Sequence, residues 1–357
     1  MDQAIADVRA RAVVVPLARP LRTASGEIPA APLVLIDVLV EDEVAGSAYL
    51  FAYSPVTLKA LVALIGDLAP LLRGKTIAPA ARFAEFERSF RLLGKQGLLG
   101  MALSGIDMAL WDALGRGLDR PVCQILGGTS AALPAYDSYG VVDPVADRAR
   151  LEASLRQGFK AIKIKIGNGD LANDIAAVSG VRKIIGPAVR LMVDYNQSLI
   201  APEAVRRLRH LAEFDLHWVE EPVAAEDHIG HAQVRRESGV AVQTGENWWF
   251  ASDMAKAIAS GACDFAMPDL MKIGGVTGWL RAMGIAEAAA MPVSSHLFVE
   301  ASAHVLAVTP TAHWLEYLDV AGKILRQPAV VEDGMVRPRG PGLGMEWDET
   351  AVARYLI

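Results

Sequence analysis

The stretch FKAIKIKIG, Phe159 to Gly167, alternates isoleucine and lysine inside an apolar run of strand length. Alternation along a strand sends Ile162, Ile164 and Ile166 to one face and Ala161, Lys163 and Lys165 to the other. In a (β/α) barrel the outer face of each strand is covered by helices, a cover that three isoleucines suit, so both lysines point inward. Two ammonium groups held close in a partly desolvated site disfavour each other's charge. At least one lysine pKa is therefore expected to fall, leaving a neutral amine able to take a proton.

Outward from this strand, short apolar runs alternate with helix-patterned segments such as DPVADRARLEASLRQG and APEAVRRLRHLAEFD from Ala132 onward. Eight runs read as strands: LPAYDSY, AIKIKIG, RLMVDYN, LHWVEEP, VAVQTGE, CDFAMPD, PVSSH and AHWLEYL. Near their C-terminal ends stand Ser138, Lys165, Asp194, Glu220, Glu246, Asp269, His296 and Glu316, spaced by roughly 20 to 30 residues, the length of one β/α unit. The predicted fold class is α/β, a modified (β/α)8 barrel of TIM type whose mouth these side chains ring. Such mouths are where these barrels carry chemistry.

Strand-end carboxylates facing one axis repel unless a divalent cation neutralises them. Asp194, Glu220 and Glu246 come from consecutive strands and offer hard oxygen ligands suited to Mg2+, with Mn2+ as a substitute. Zinc is disfavoured because no histidine or cysteine accompanies them. Glu221 follows Glu220 and points to the other face, so Glu220 is taken as the ligand. Asp269 and His296 end neighbouring strands, which lets the carboxylate orient the imidazole and raise its basicity. KIGGVTG, Lys272 to Gly278, lacks the spacing of a dinucleotide loop.

The first 130 or so residues read as an α+β unit. APLVLIDVLVEDEVAGSAYLF alternates like a hairpin with its turn near EDE, and GLLGMALSGIDMALWDALGRG has helical spacing. PLARPLRTASGEIPAAP, rich in Pro and Gly, reads as a mobile loop of the kind that forms lids. With 357 residues, 52% of them hydrophobic, and a net charge of −6, the chain reads as a soluble globular protein with no electrostatic footprint for nucleic acid. No uninterrupted apolar run reaches the roughly 18 residues of a membrane span, and the charged N-terminus does not read as a signal peptide, so a cytoplasmic location is expected. Cys123 and Cys263 read as buried free thiols.

VPLARPLRTASG, AYDSYG, KIKIG, VDYNQSL, WVEEP, GENW, AMPDLMKIGGVTGW, SSHLF and TPTAHWLE together make the chain resemble, over nearly its whole length, the mandelate racemase and muconate lactonizing enzyme family of the enolase superfamily. The resemblance implies an N-terminal capping domain (1–128), a (β/α)7β barrel (129–320) whose eighth strand lacks a standard helix, and a C-terminal segment (321–357) that returns to the cap. It implies Mg2+ held by Asp194, Glu220 and Glu246, with Lys165 as the base on one face of the substrate and the His296–Asp269 dyad as the base on the other. Lys163 would neutralise the substrate carboxylate, a protonated Glu316 would donate to the enediolate, and Ser138 and Asn196 would contact the carboxylate and hydroxyl. Lys272 matches a family lysine at the site, its role open.

The activity so implied is racemisation of a 2-hydroxy carboxylate such as mandelate through an enediolate, on a small-molecule carboxylate substrate and in a homo-oligomer. Tyr53, Ile28, Leu297 and Leu318 suit an aryl group, whereas Arg19, Leu21 and Arg22 in the lid, and Tyr139 where the family has a histidine beside the serine, depart from the pattern. The alternatives are an acid-sugar dehydratase working from the same intermediate, which a more polar cavity wall would favour, and a catalytically silent carboxylate-binding barrel.

Overall fold

The computed structural model describes residues 3–23, 26–41 and 43–357, the side chains of Arg19 and Val44 excepted. Strands β1 (Asp7–Thr23), β2 (Gly26–Val40) and β3 (Glu43–Phe51) form an antiparallel sheet in chain order. The β2–β3 turn falls at the acidic stretch, as the alternation predicts, with Asp42 outside the described residues. The segment expected to be a mobile loop is instead the far end of the β1–β2 hairpin. Pairing is interrupted between Pro16 and Leu21 and resumes at Leu21–Ile28, Arg22–Glu27 and Thr23–Gly26. Prolines cannot donate to a ladder, so a break in register lets the hairpin continue past Pro16 and Pro20. Ala24 and Ser25 at its tip lie outside the described residues.

Helices α1 (Leu58–Leu68), α2 (Pro79–Ser89) and α3 (Leu98–Gly117) complete the N-terminal unit. Helix α3 and the sheet meet closely: a Cβ at Gly46 would lie 2.3 Å from the Ala109 carbonyl oxygen, and one at Gly105 would lie 2.4 Å from the side-chain Cδ1 of Ile36. Contrary to the reading that nothing here could span a bilayer, α3 is long and apolar enough to do so by length and composition. In the protein, however, 89% of its most apolar window is buried, as befits a core helix.

The barrel begins at β4 (Leu133–Val141) and continues through β5 (Ala161–Lys165), β6 (Arg190–Asp194), β7 (Leu216–Glu220), β8 (Val242–Thr244) and β9 (Phe265–Ala266), each parallel to its neighbour. The eighth stave, β10 (Leu315–Tyr317), closes the ring by pairing with β4. PVSSH, expected as the seventh strand, is held only by single bridges, Ala266–Val293, Asp269–His296 and Val293–Ala312. Its backbone still bonds on both sides, Ser294 N–H donating to Ala266 and Ser295 N–H to Trp314, so it completes the wall without a continuous ladder.

Helices follow each of the first seven staves, from Arg148–Arg156 to Val299–Leu306, and a 3₁₀ turn at Gly322–Ile324 stands where an eighth would begin. The fold is thus a (β/α)7β barrel with an N-terminal cap. Tyr136, Ala161, Met192 and Trp218 pack together inside the barrel, while Ile162, Ile164, Val193 and Val219 join the main core outside it. The chain then returns to the cap. Leu343 N–H donates to Asp112 Oδ1 at 2.6 Å, Trp347 Nε1–H to Asp37 Oδ1 at 2.7 Å, and Arg11 pairs with Glu349 at 2.6 Å.

Candidate active site

Two-residue alternation continues from the apolar barrel floor into a polar layer. Above Ala161 stand Lys163 and Lys165, above Met192 stands Asp194, above Trp218 stands Glu220, and above Tyr136 stands Ser138. Lys163 Nζ lies 2.5 Å from Glu220 Oε1 and 2.8 Å from Glu316 Oε1, and Lys165 pairs with Asp194. Ser138 donates to Glu316 Oε1 at 2.8 Å and the Leu297 N–H to Glu316 Oε2 at 2.9 Å. On the other side of the layer, His296 Nδ1 is 2.6 Å from Asp269 Oδ2, and its Nε2 is 3.1 Å from Glu246 Oε2. Asp269 is itself fixed by the Met271 N–H at 2.6 Å.

Asp194, Glu220 and Glu246 each bring an oxygen within 4.8 Å of the others. Burial, resisted by Lys163 and reinforced by Asp194, Glu246 and Glu316, pushes the Glu220 carboxyl up to about 8. The layer thus holds more buried carboxylates than cations, and the clustered donors are all hard oxygens. This is a donor set that fits Mg2+.

Neither lysine shows the expected fall in pKa. Burial opposes the charge on Lys163, but Glu220 and Glu316 outweigh it and hold the ammonium well above its ordinary range. Burial is likewise outweighed at Lys165 by Asp194, which raises it despite repulsion from Lys163. The expectation weighed lysine against lysine; the carboxylates of the neighbouring strands decide the sign. Glu316, expected to be protonated, is drawn down to about 2, because Lys163 and His296 overcome its burial. Burial opposes charge on His296 too, and Glu246, Glu316 and Asp269 lift its pKa to about 9.

A cavity of about 490 Å³ opens above this layer. Lys165, Glu246, His296, Glu316, Ser138 and Asn196 line its floor, and Leu21, Ile28, Tyr53, Leu297 and Leu318 its walls, with Leu17, Phe51 and Val320 beside them. Lys272 also reaches it: its Nζ lies 2.5 Å from Asn247 Oδ1 and 5.0 Å from the Tyr53 ring centroid. Thr23 and Glu27 add polar groups at the hairpin.

Arg22 does not line the cavity but pairs with Glu27 at 3.1 Å on the surface, and the side chain of Arg19 lies outside those described. Tyr139, one residue past Ser138, faces the other way, its hydroxyl 2.5 Å from Ser154 Oγ and its ring under Arg150. It therefore takes no part in the wall.

Glu221 is buried, accepts from Asn247 Nδ2 at 2.7 Å, and has its pKa raised by burial and then by Glu246. Asn247, Gln197 and Gln243, absent from the sequence-based set, belong to the same surroundings: Asn247 and Gln197 line the cavity and Gln243 donates to Glu220 Oε2 at 3.2 Å. For Asn247 and Gln197 the signal was adjacency, since Asn247 follows Glu246 and Gln197 follows Asn196, whereas Gln243 adjoins no candidate residue in the sequence. Tyr53, Asn196, Gln197, Glu221 and Leu297 all have positive φ, between 36° and 66°. Left-handed backbone at non-glycine residues costs on the order of 1 kcal/mol each and gathers where a site over-determines the chain.

The chain belongs to the mandelate racemase/muconate lactonizing enzyme family of the enolase superfamily. The family model for the N-terminal domain of these enzymes matches residues 4–127, and the enolase C-terminal domain-like model matches residues 146–351. A crystal structure of an enolase from Bradyrhizobium, complexed with magnesium and mandelic acid, is 54% identical, with a TM-score of 0.98 over 100% of this chain and 99% of that one. The 3,6-anhydro-alpha-L-galactonate cycloisomerase of Streptomyces coelicolor is 35% identical over 74% of each chain. The L-talarate/galactarate dehydratase of Salmonella typhimurium is 30% identical over 72% of this chain and 66% of its own. Mg2+ is the cofactor, and Asp194, Glu220 and Glu246 are the residues that fit it.

Proposed function

We propose that this protein is a Mg2+-dependent racemase of 2-hydroxy carboxylates bearing an aryl or similarly apolar substituent, mandelate being the model substrate. The observation that carries this reading is the wall of Leu21, Ile28, Tyr53, Leu297 and Leu318 facing a floor that holds both Lys165 and His296. An aryl group buries against such a wall, whereas a polyhydroxy chain would leave its hydroxyls unpaired there. The 54% identical structure with mandelic acid supports the same choice. Residues 1–128 then act as the cap, 129–320 as the catalytic barrel and 321–357 as the returning segment.

When bound, Mg2+ supplies positive charge for the negative charge that develops on the substrate's carboxylate oxygens as the α-proton leaves. Lys163, expected to meet that carboxylate directly, does not line the cavity but lies buried beneath its floor against Glu220 and Glu316, from where it supplies fixed positive charge. Glu316, by accepting from both Lys163 and Ser138, orders the two donors on that side. Asn196 keeps a buried Oδ1 without a partner, an acceptor for the 2-hydroxyl. With Asp194 engaged by Mg2+, Lys165 would lose the counter-charge that raises its pKa, so that its neutral amine removes the α-proton from one enantiomer while His296, oriented by Asp269, delivers a proton to the opposite face. For the other enantiomer the two exchange roles. One base alone would give exchange without inversion.

In deuterated water with Mg2+, the protein is expected to exchange the α-proton of both mandelate enantiomers, followed by NMR. Folded, metal-replete protein that exchanges neither would overturn the reading. His296→Asn is expected to retain exchange from one enantiomer and lose it from the other, and equal loss from both would refute the two-base assignment. A second reading, dehydration of an acid sugar, is favoured by the Salmonella relative and by Thr23 and Glu27 at the cavity. Release of a 2-keto acid from galactarate-type acids at a rate exceeding mandelate exchange would select it.

A further inference from the structure

Lys165 and Asp194 sit side by side on adjacent strands, in register and ion-paired, and both are followed at once by a turn. What holds those turns is a residue outside the cavity. Asp174, in the first turn of helix Leu171–Ile185, is 2% exposed. Its Oδ1 accepts from the Gly167 N–H at 2.9 Å, two residues beyond Lys165. Its Oδ2 accepts from the Tyr195 hydroxyl at 3.0 Å, one residue beyond Asp194, and from Arg207 Nη1 at 2.8 Å. Arg207 in turn donates to the Gly169 carbonyl at 3.0 Å, closing the turn from its other side. Gly167 has φ +90° and packs so tightly on Tyr195 that a Cβ there would lie 2.7 Å from the ring. One carboxylate thus fastens both strand ends to a single point.

We propose that Asp174 is a positioning residue for the Lys165 half of the reaction, setting where the amine stands relative to Asp194 and to the substrate's α-carbon. This rests on the two-base reading above. His296 hangs on a different support, Asp269 and the bridges at Val293 and His296, and among the described residues no hydrogen bond or ion pair joins Asp174 to it. With Mg2+ saturating, so that any shift of Asp194 shows as a weaker metal affinity common to both enantiomers, loosening Asp174 is expected to damage the Lys165 transfer more than the His296 one. A residue that served only the fold would affect both alike. Misplacing a reacting group by a fraction of an ångström to 1 Å costs on the order of 10- to 100-fold in rate.

The test uses the whole Mg2+-loaded protein and follows α-proton exchange from each enantiomer separately. Lys165→Ala identifies the enantiomer that Lys165 serves. Asp174→Asn keeps the shape but replaces one acceptor by a donor, and is expected to slow exchange from that enantiomer by about 10-fold or more while changing the other by less than about twofold. Tyr195→Phe removes one arm only, so it provides a milder variant should Asp174→Asn fold poorly, with the same asymmetry at smaller size. Equal slowing of both enantiomers, or no slowing of either in a folded variant, overturns the proposal. Failure of the racemase reading looks different, because wild-type protein would then exchange neither enantiomer.

Discussion

Lys163 shows how far a single side chain depends on its surroundings. It is 1% exposed, yet it stands against two buried carboxylates, so removing it strips Glu220 of its paired ammonium and leaves Glu316 with His296 alone at 3.9 Å. Breaking a buried pair from one side costs about 3 to 5 kcal/mol. Lys163→Met is therefore expected to lower unfolding stability by an amount of that order in chelator, and Mg2+ is expected to recover part of it. Urea titrations with and without the metal read both effects. The pattern of FKAIKIKIG was enough to aim both lysines inward, because alternation is a backbone property. It could not supply the sign of their pKa shifts, which depends on which residues of β6, β7 and β10 come within 3 Å. The same limit applies to Tyr139, whose distance from the cavity follows from its parity on the strand and not from its place beside Ser138.

Among the elements, α3 joins the cap to the barrel through a buried carboxylate. Asp107 accepts from the Thr277 N–H at 2.9 Å and the Thr277 hydroxyl at 2.5 Å, and Trp111 donates to the same hydroxyl at 3.0 Å. Burial, only partly offset by those bonds from Thr277, lifts the Asp107 carboxyl from 3.8 to about 7. A raised carboxyl pKa means that the folded state binds the proton more tightly than the unfolded chain. The stability associated with it is fully present below pH 3.8 and is lost as pH rises through about 7.

Asp107→Asn carries no such proton. The difference in stability between the variant and the wild type should therefore shift in the variant's favour between pH 4 and 7 by on the order of 4 kcal/mol, and level off above. Denaturant unfolding across that range checks it. Elements whose periodicity is continuous, such as α3 and β4 to β7, could be read from residues alone. The hairpin end of β1–β2 could not, since Pro16, Pro20 and Gly26 carry loop propensity and only the partner strand restores order. The PVSSH stave escapes for the opposite reason. Its residues suit a strand, but its neighbours meet it at single positions.

At the scale of the molecule, cap, barrel and C-terminal segment are tied by polar contacts that composition does not reveal. Trp347 reaches Asp37 across 310 residues of sequence, and Asp37 also accepts from Ser47 at 2.8 Å. Trp347→Phe is expected to cost about 1 to 3 kcal/mol of stability by leaving a buried acceptor short of a donor. Exchange at the substrate α-carbon, measured in native conditions, should be unchanged, since Trp347 does not line the cavity.

The cavity itself is shared unequally. Leu21, Ile28 and Tyr53 come from the cap, and the proton-transfer groups all come from the barrel. Proton transfer is thus written in the barrel alone while the recognition wall is split between it and the cap, and a lineage could shift its preference among acids by rewriting a short hairpin while its catalytic inheritance stayed intact.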